Sequence, residues 1–333
     1  MPVPLPADRP MRWGILGCGK VADMMIRDLR LLPDHTVSAV ASLTPGKGEA
    51  FAREHGVPVF HTRYEDLLQR DDVDVVYVAT THDRHFPNAV LALQHRKPVL
   101  CEKPLTINAG QTQALMDLAC EQDVFLMEAM WTRFFPAVES LLADLHAGII
   151  GPVRLLQADF GVRYEWAPDH RMVDPARGGG SLLDLGVYTV ALAHLVFGGS
   201  PDAVHGLRRP TDRDVDAQFT GLLGFPGNGQ ALLSSSFDVR VPPQARFFGP
   251  EGSIVLDDFF HPAGYTIIPS GRPPRRVGHR LEGRGYQFEL AEVAACLRAG
   301  LRESRRRPLA DTLAVMHTMD VLRQAWGQRY PGE

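Results

Sequence analysis

Apolar and polar residues follow two patterns along this chain, and the change from one to the other divides it. Up to about residue 128, short apolar β-branched runs alternate with segments of helical period. The run Trp13–Leu16 enters a glycine turn and then a helix over Val21–Leu31. The strand Val37–Ser42 leads to a short helix, Gly48–His55, closed by Gly56, then a brief strand Val57–Phe60 and a helical turn Tyr64–Gln69. Val73–Thr80 (VDVVYVAT) is mostly apolar, the mark of a strand buried on both faces of a parallel sheet. Pro87–His95 predicts a helix, Pro98–Cys101 a buried strand, Asn108–Glu121 a helix and Val124–Met127 a further strand. This repeated strand–helix–strand order predicts a doubly wound parallel α/β sheet of Rossmann type over residues 11–128.

After residue 128 the pattern changes. Pro136–His146 reads as a helix and Val153–Gly161 alternates as a strand. Strand-like runs then recur at Ala203–Leu207, Gln218–Phe225, Gln230–Phe237, Ala245–Phe248, Ser253–Leu256 and Thr266–Ile268. Helices Ser181–Phe197, Tyr286–Arg298 and Leu309–Gln324 punctuate them. Residues 129–333 are therefore expected to form an α+β domain on an open, mostly antiparallel sheet. Such a sheet has one face left to cover, so a homodimer or homotetramer across it is expected. Residues 1–10 (MPVPLPADRP) read as a loose tail.

Composition narrows the function classes. The 333 residues leave room for two domains, and 45% hydrophobic with 22% charged residues is ordinary for a soluble protein. A net charge of -4 gives no electrostatic case for nucleic acid or an anionic membrane. The cysteines, at 18, 101, 120 and 296, lack C-x-x-C spacing, which argues against a zinc site and fits a reducing compartment. No stretch approaches the about 18 consecutive apolar residues of a membrane span. A cytoplasmic protein is expected. Arg272–Arg276 and Arg305–Arg307 read as solvated basic clusters.

The candidate chemistry begins at Gly17-Cys18-Gly19-Lys20-Val21-Ala22, a G-x-G-x-x-A turn between strand and helix. Gly17 permits the tight turn, Gly19 lets a pyrophosphate approach the backbone, and the helix start presents its N–H groups to the phosphates. A dinucleotide is the expected ligand. After the second strand, where an acid would bind the 2′-hydroxyl of NAD, the chain has Ser42, Leu43, Thr44 and Lys47. Missing acid and nearby donors favour NADP over NAD. Thr80, Thr81, His82 and His85 follow the next strand, and Glu102-Lys103-Pro104 the one after. All these loops leave carboxyl ends of strands, where such sheets bind ligands. His82 and His85 are placed for cofactor contact or helix entry, and no metal is expected. A Lys in the position of Lys103 can anchor a substrate oxygen, lower the pKa of an acid, or be an exposed loop lysine. Ser181 is placed to cap a helix on which Asp184 and Tyr188, at i and i+4, share a face.

G-C-G-K-V-A, Y-E-D-L-L, V-A-T-T-H, C-E-K-P-L, E-A-M-W-T-R-F-F-P (Glu128–Pro136) and G-G-G-S-L-L-D-L-G-V-Y (Gly178–Tyr188) together resemble the Gfo/Idh/MocA oxidoreductase family, from about residue 11 to 325. The departures are Thr81, where Pro or Asn is usual, and Leu43, where Arg often stands. The resemblance implies a catalytic Lys103 and a Tyr188 that works as general acid/base, with Asp184 positioning substrate. Arg171 resembles the family's substrate-side basic position. Apolar faces pack on C–H surfaces and Arg binds hydroxyls, so Trp131, Arg133, Phe160 and Trp166 are read either as shaping a sugar or diol pocket or as simple packing, with Trp131 and Arg133 also expected to contact the cofactor. The expected activity is metal-free hydride exchange between NADP(H) and a hydroxyl of a sugar or cyclic vicinal diol. Two readings of other classes stand beside it: a non-catalytic NADP-binding regulator, and the NAD-dependent glycoside hydrolase chemistry of the same family.

Overall fold

The computed structural model describes residues 4–6, 8–165, 167 and 170–333. The first elements are β1 (Met11–Leu16), α1 (Lys20–Leu29), β2 (His35–Ala41), α2 (Lys47–His55), β3 (Val59–His61), α3 (Tyr64–Leu68) and β4 (Val75–Val78). Then come α4 (His82–Gln94), β5 (Val99–Glu102), α5 (Ala109–Gln122), β6 (Leu126–Ala129), α6 (Pro136–His146), β7 (Leu155–Gly161) and α7 (Val187–Phe197). The strands β8 (Ala203–Pro210), β9 (Asp216–Phe225), β10 (Gly229–Ser236), β11 (Val241–Gly249), β12 (Gly252–Leu256), β13 (Gly264–Pro269) and β14 (Arg275–Gly278) precede α8 (Tyr286–Arg298) and α9 (Leu309–Ala325). Contacts divide the chain into two units. One holds Met1–Thr106, Gly110–Trp131 and Glu282–Leu309; the other holds Ile107–Ala109, Thr132–Leu281 and Ala310–Glu333.

In the first unit, β1 to β6 form a parallel sheet in the order β3-β2-β1-β4-β5-β6. This is a Rossmann sheet, and its strand order reverses between β1 and β4. Helix α4 starts five residues before the expected Pro87, which sits inside it. Pro87 is the sixth residue of the helix, where it forgoes a backbone hydrogen bond.

A boundary near residue 128 puts all of 129–333 in a second domain, whereas Glu282–Leu309 packs with the first unit. One link that holds it there is Asp28 on α1, which is 3% exposed. Its carboxylate accepts the N–H groups of Arg284 (2.9 Å), Gly285 (2.8 Å) and Tyr286 (3.0 Å), capping α8. The run Arg305–Arg307 is not the solvated cluster expected: Arg305 is exposed, but Arg306 is half-buried and Arg307 buried. Arg307 is 5% exposed and pairs with the buried Glu128 of β6.

In the second unit, eight strands run in the order β14-β13-β12-β11-β7-β10-β9-β8. Every pair is antiparallel except β7 with β10. Helix α7 packs on β7 and β10, and Val187 to His194 are all buried. An apolar face all round suits a helix enclosed in a core. The helical stretch Pro175–Phe197 is long and, on average, apolar enough to cross a membrane, but Arg177 and Asp184 interrupt it and 83% of its apolar window is buried inside the protein. The basic run near Arg275 forms the short edge strand β14, in which Arg275 and Arg276 stay exposed.

Candidate active site

Within the first unit, the fingerprint turn is a matter of backbone space. Gly17 has φ +96°, and a Cβ there would lie 2.7 Å from the Ala79 carbonyl oxygen at the end of β4. Gly19 differs. Its φ is -96°, and a Cβ would meet nothing nearer than that carbonyl at 4.0 Å. The fold itself does not require glycine at 19; close approach of a ligand does. Gly19 also begins α1 and supplies no side-chain cap to the N–H groups of its first turn. The space and the donors fit a dinucleotide pyrophosphate. Cys18 is buried, its thiol pushed up to about 11 by burial, and it contributes backbone.

After β2, Ser42 is buried and its hydroxyl accepts the Thr44 N–H at 3.3 Å, while Leu43, Thr44 and Lys47 are exposed. No carboxylate occurs between Ser42 and Gly48. After β4, Thr80 accepts from Asn88 at 3.1 Å, and Thr81 donates to Asp83 at 2.6 Å. His85 is 1% exposed. One ring nitrogen faces the Pro104 carbonyl at 2.7 Å and the other the Thr80 carbonyl at 3.2 Å. The ring therefore ties the end of β4 to the E-K-P loop and has both nitrogens occupied. His82, also buried, stands edge-on to it at 5.8 Å between ring centres. Asp23, Glu54 and His55 bring possible metal ligands within 4.8 Å of one another. Arg27 already donates to both carboxylates, at 2.7 and 3.1 Å, and opposes a cation there.

Lys103 is half-buried at the end of β5 and its N–H donates to Glu102 at 3.2 Å. Burial pushes Glu102 up to about 7, against a hydrogen bond from Tyr77 and the Lys103 charge. Glu289 of α8 is fully buried and neither carboxyl oxygen has a hydrogen-bond partner. Burial, and then the charges of Glu102 and Glu128, raise its pKa far above the usual carboxylate range. Trp131 stacks on Tyr286 at 4.7 Å and 15°. None of these buried partners had a local sign in the sequence, because they are brought together by β4, β5, β6 and α8.

In the second unit, the glycine-rich segment enters α7 through a π turn, Leu182–Gly186, instead of a regular helical turn. Such turns insert an extra residue and occur frequently at functional sites. Ser181 does not cap it. Its own backbone is helical (φ -71°, ψ -30°), and the Leu182 N–H goes to Asp216 at 2.6 Å. The wider turn replaces the plain i, i+4 face expected for Asp184 and Tyr188. Both residues are buried, at 7% and 5% exposure. The Tyr188 ring meets Phe260 at 5.2 Å and 85° and Phe160 at 6.1 Å. Arg171 is half-buried in a short 3-10 turn. Arg133 pairs with Glu139. Trp166 lies outside the described residues.

Tyr164 and Phe260 escaped the sequence reading. Burial, then the nearby Asp184 charge, raises the Tyr164 hydroxyl pKa, with Arg171 opposing. Tyr164 thus lies within electrostatic reach of Asp184 and Arg171. Phe260 contacts both Phe160 (5.0 Å) and Tyr188. Adjacent aromatics in an aperiodic loop, Phe259-Phe260-His261, were the available signal.

Residues 11–130 match a family model described as "Oxidoreductase family, NAD-binding Rossmann fold", and residues 140–255 match the "GFO/IDH/MocA C-terminal domain". The chain belongs to the GFO/IDH/MocA oxidoreductase family. It is 36% identical over 332 residues to the trans-1,2-dihydrobenzene-1,2-diol dehydrogenase of Xenopus tropicalis, covering 96% of this chain and 99% of that one. The Bos taurus dehydrogenase of the same name is 33% identical over 331 residues, covering 96% and 98%. Among solved structures, the 3-ketoreductase KijD10 of Actinomadura kijaniata, in complex with NADP and TDP-benzene, has a TM-score of 0.84 at 27% identity, covering 95% and 98%. The aldose-aldose oxidoreductase of Caulobacter crescentus shares the fold, with a TM-score of 0.87 at 24% identity, covering 95% and 97%. As a family member, the protein is an oxidoreductase acting on CH–OH groups, with an NAD(P)-binding Rossmann domain.

Proposed function

We propose that this oxidoreductase oxidises a hydroxyl of a cyclic vicinal diol or a sugar with NADP, and runs the reverse reduction with NADPH. The observation that carries the reading is Tyr188, a phenol buried at the entry of α7 against Phe160 and Phe260. Flat apolar rings suit the C–H faces of a carbocycle or pyranose. A diol is supported by the name of the relatives and NADP by the ligand of the ketoreductase KijD10. The missing acid after β2, with Thr44 and Lys47 exposed, supports NADP from this chain's own residues.

In this reading the Gly17–Val21 backbone binds pyrophosphate, and the loop of Ser42, Thr44 and Lys47 takes the 2′-phosphate. Thr80, Thr81 and His82, with Glu102, Trp131 and Arg133, complete the cofactor side, and His85 holds the end of β4 to the E-K-P loop. A bound nicotinamide supplies the hydride acceptor. Tyr188 takes the hydroxyl proton as the C–H bond breaks, and Lys103 favours its ionised form electrostatically. Asp184, Arg171, Phe160 and Trp166 orient the substrate, joined by Tyr164. No step needs a metal. Absorbance at the reduced-nicotinamide band, across cyclic diols and aldoses with NADP and NAD, tests this. NADP-dependent turnover of at least one class is expected; turnover with NAD alone would overturn the cofactor assignment.

The open face of the second unit's sheet carries exposed Leu207, Leu222, Leu232 and Ile268, with Leu222 and Leu232 paired in register. A homodimer or homotetramer across that face is part of the same proposal. Four unpaired cysteines support a reducing, cytoplasmic setting.

A further inference from the structure

Ser181, Asp216, Gln328 and Tyr330 are buried polar residues that meet beneath the entry to α7, and the reaction described above uses none of them. Asp216, the first residue of β9, is wholly buried. One carboxylate oxygen accepts the Leu182 N–H at 2.6 Å and the Ser181 hydroxyl at 2.9 Å. The other accepts from the Gln328 amide at 3.1 Å. Burial raises the Asp216 pKa, and these three bonds oppose the shift. Tyr330, 2% exposed, donates its hydroxyl to the Gly179 carbonyl at 2.6 Å.

The glycines of G-G-G-S make these approaches possible. Gly180 has φ +116°, and a Cβ there would fall 2.2 Å from Asp216 Oδ1. At Gly179 a Cβ would fall 2.6 Å from the Met172 carbonyl oxygen. The segment that brings Tyr330 is itself pinned. Arg323 donates to Glu333 at 2.7 and 2.8 Å, its guanidinium lies 4.6 Å from the Tyr330 ring centre, and the Tyr330 N–H donates to Glu333 at 2.8 Å. A helix entry with no cap of its own is thus held from β9 and from residues 327–333. Two residues beyond the Leu182 bond lies Asp184, and Tyr188 follows one turn later.

We propose that Asp216 and Tyr330 are positioning residues: with Gln328 they latch the Gly179–Leu182 backbone so that Asp184 and Tyr188 keep the orientation proton transfer requires. This rests on the role given to Tyr188. A helix start that drifts by a fraction of an ångström would misplace the phenol while leaving the cofactor side intact.

Tyr330→Phe removes one hydroxyl and keeps the ring on Arg323. Hydrogen exchange at the amides of residues 180–188 should quicken roughly tenfold. The kcat should fall roughly five- to thirtyfold with the NADP dissociation constant unchanged, and the oxidative kcat profile should move to higher pH. Gln328→Leu should act in the same direction. Asp216→Asn combined with Gln328→Glu reverses donor and acceptor, and should recover part of what Asp216→Asn alone loses. Unchanged exchange and kcat in Tyr330→Phe would overturn the latch. So would a lower Tm with kcat per active site and its pH profile unmoved, which is structural support alone. If the wild type turns over no hydroxyl substrate, the role of Tyr188 fails first, and the exchange rates by themselves decide whether the latch exists.

Discussion

The fingerprint turn of the first unit and the α7 entry of the second solve one problem, placing a few groups within ångströms, by opposite means. At residues 17–22 the working residues are neighbours in sequence, and the tools are backbone: a positive φ at Gly17 beneath the Ala79 carbonyl, open space at Gly19 and a helix start without a side-chain cap. At residues 178–188 the partners Asp216 and Tyr330 stand 34 to 151 residues away and act through buried side chains. A local device tolerates change elsewhere in the chain. A remote one makes the site depend on packing far from the chemistry.

The largest effect is expected from Tyr188→Phe, which removes the proton carrier and leaves its ring among Phe160 and Phe260. The kcat should fall roughly 10²–10⁴-fold with the NADP dissociation constant intact. Near-normal kcat in steady-state assays would leave Tyr188 as packing.

Remote side chains also hold the first unit, and Asp28 measures how strongly. Asp28→Ala strips the Arg284 and Tyr286 N–H groups of their acceptor and leaves Gly285 only its bond to Gln287, and should cost about 2–4 kcal/mol in urea unfolding. A loss below about 0.5 kcal/mol would mean that α8 stays docked through its apolar face alone.

The local device makes a contrasting demand. Gly19→Ala adds a methyl to space that the fold leaves empty, so Tm should barely move while NADP binding weakens roughly tenfold to a hundredfold. Unaltered affinity by fluorescence titration would remove the pyrophosphate from this turn.

Legibility follows the same division. Alternating apolar runs, Gly17 and the strand-end loops revealed the Rossmann sheet, because burial on both faces and turn chemistry are written locally. Pro136–His146 and Tyr286–Arg298 were found to the residue, as strongly apolar periods with clear ends allow. What stayed hidden was set by distance. Asp28 recruits 282–309 to the first unit from 256 residues away, and nothing near either end announces it. Ser181 looked like a cap because serine before an apolar helix usually is one, but Asp216 took the bond. The π turn also left no period to read, since one extra residue shifts a face without altering composition.

The most direct test follows the hydride itself. A cyclic diol or aldose carrying deuterium on the carbon to be oxidised is incubated with the enzyme and NADP, and the nicotinamide is examined by mass spectrometry. The account predicts NADPH with one deuterium, formed in step with oxidised product. Product without net NADPH, or deuterium absent from the nicotinamide ring, would contradict it, the first outcome pointing to a recycled cofactor.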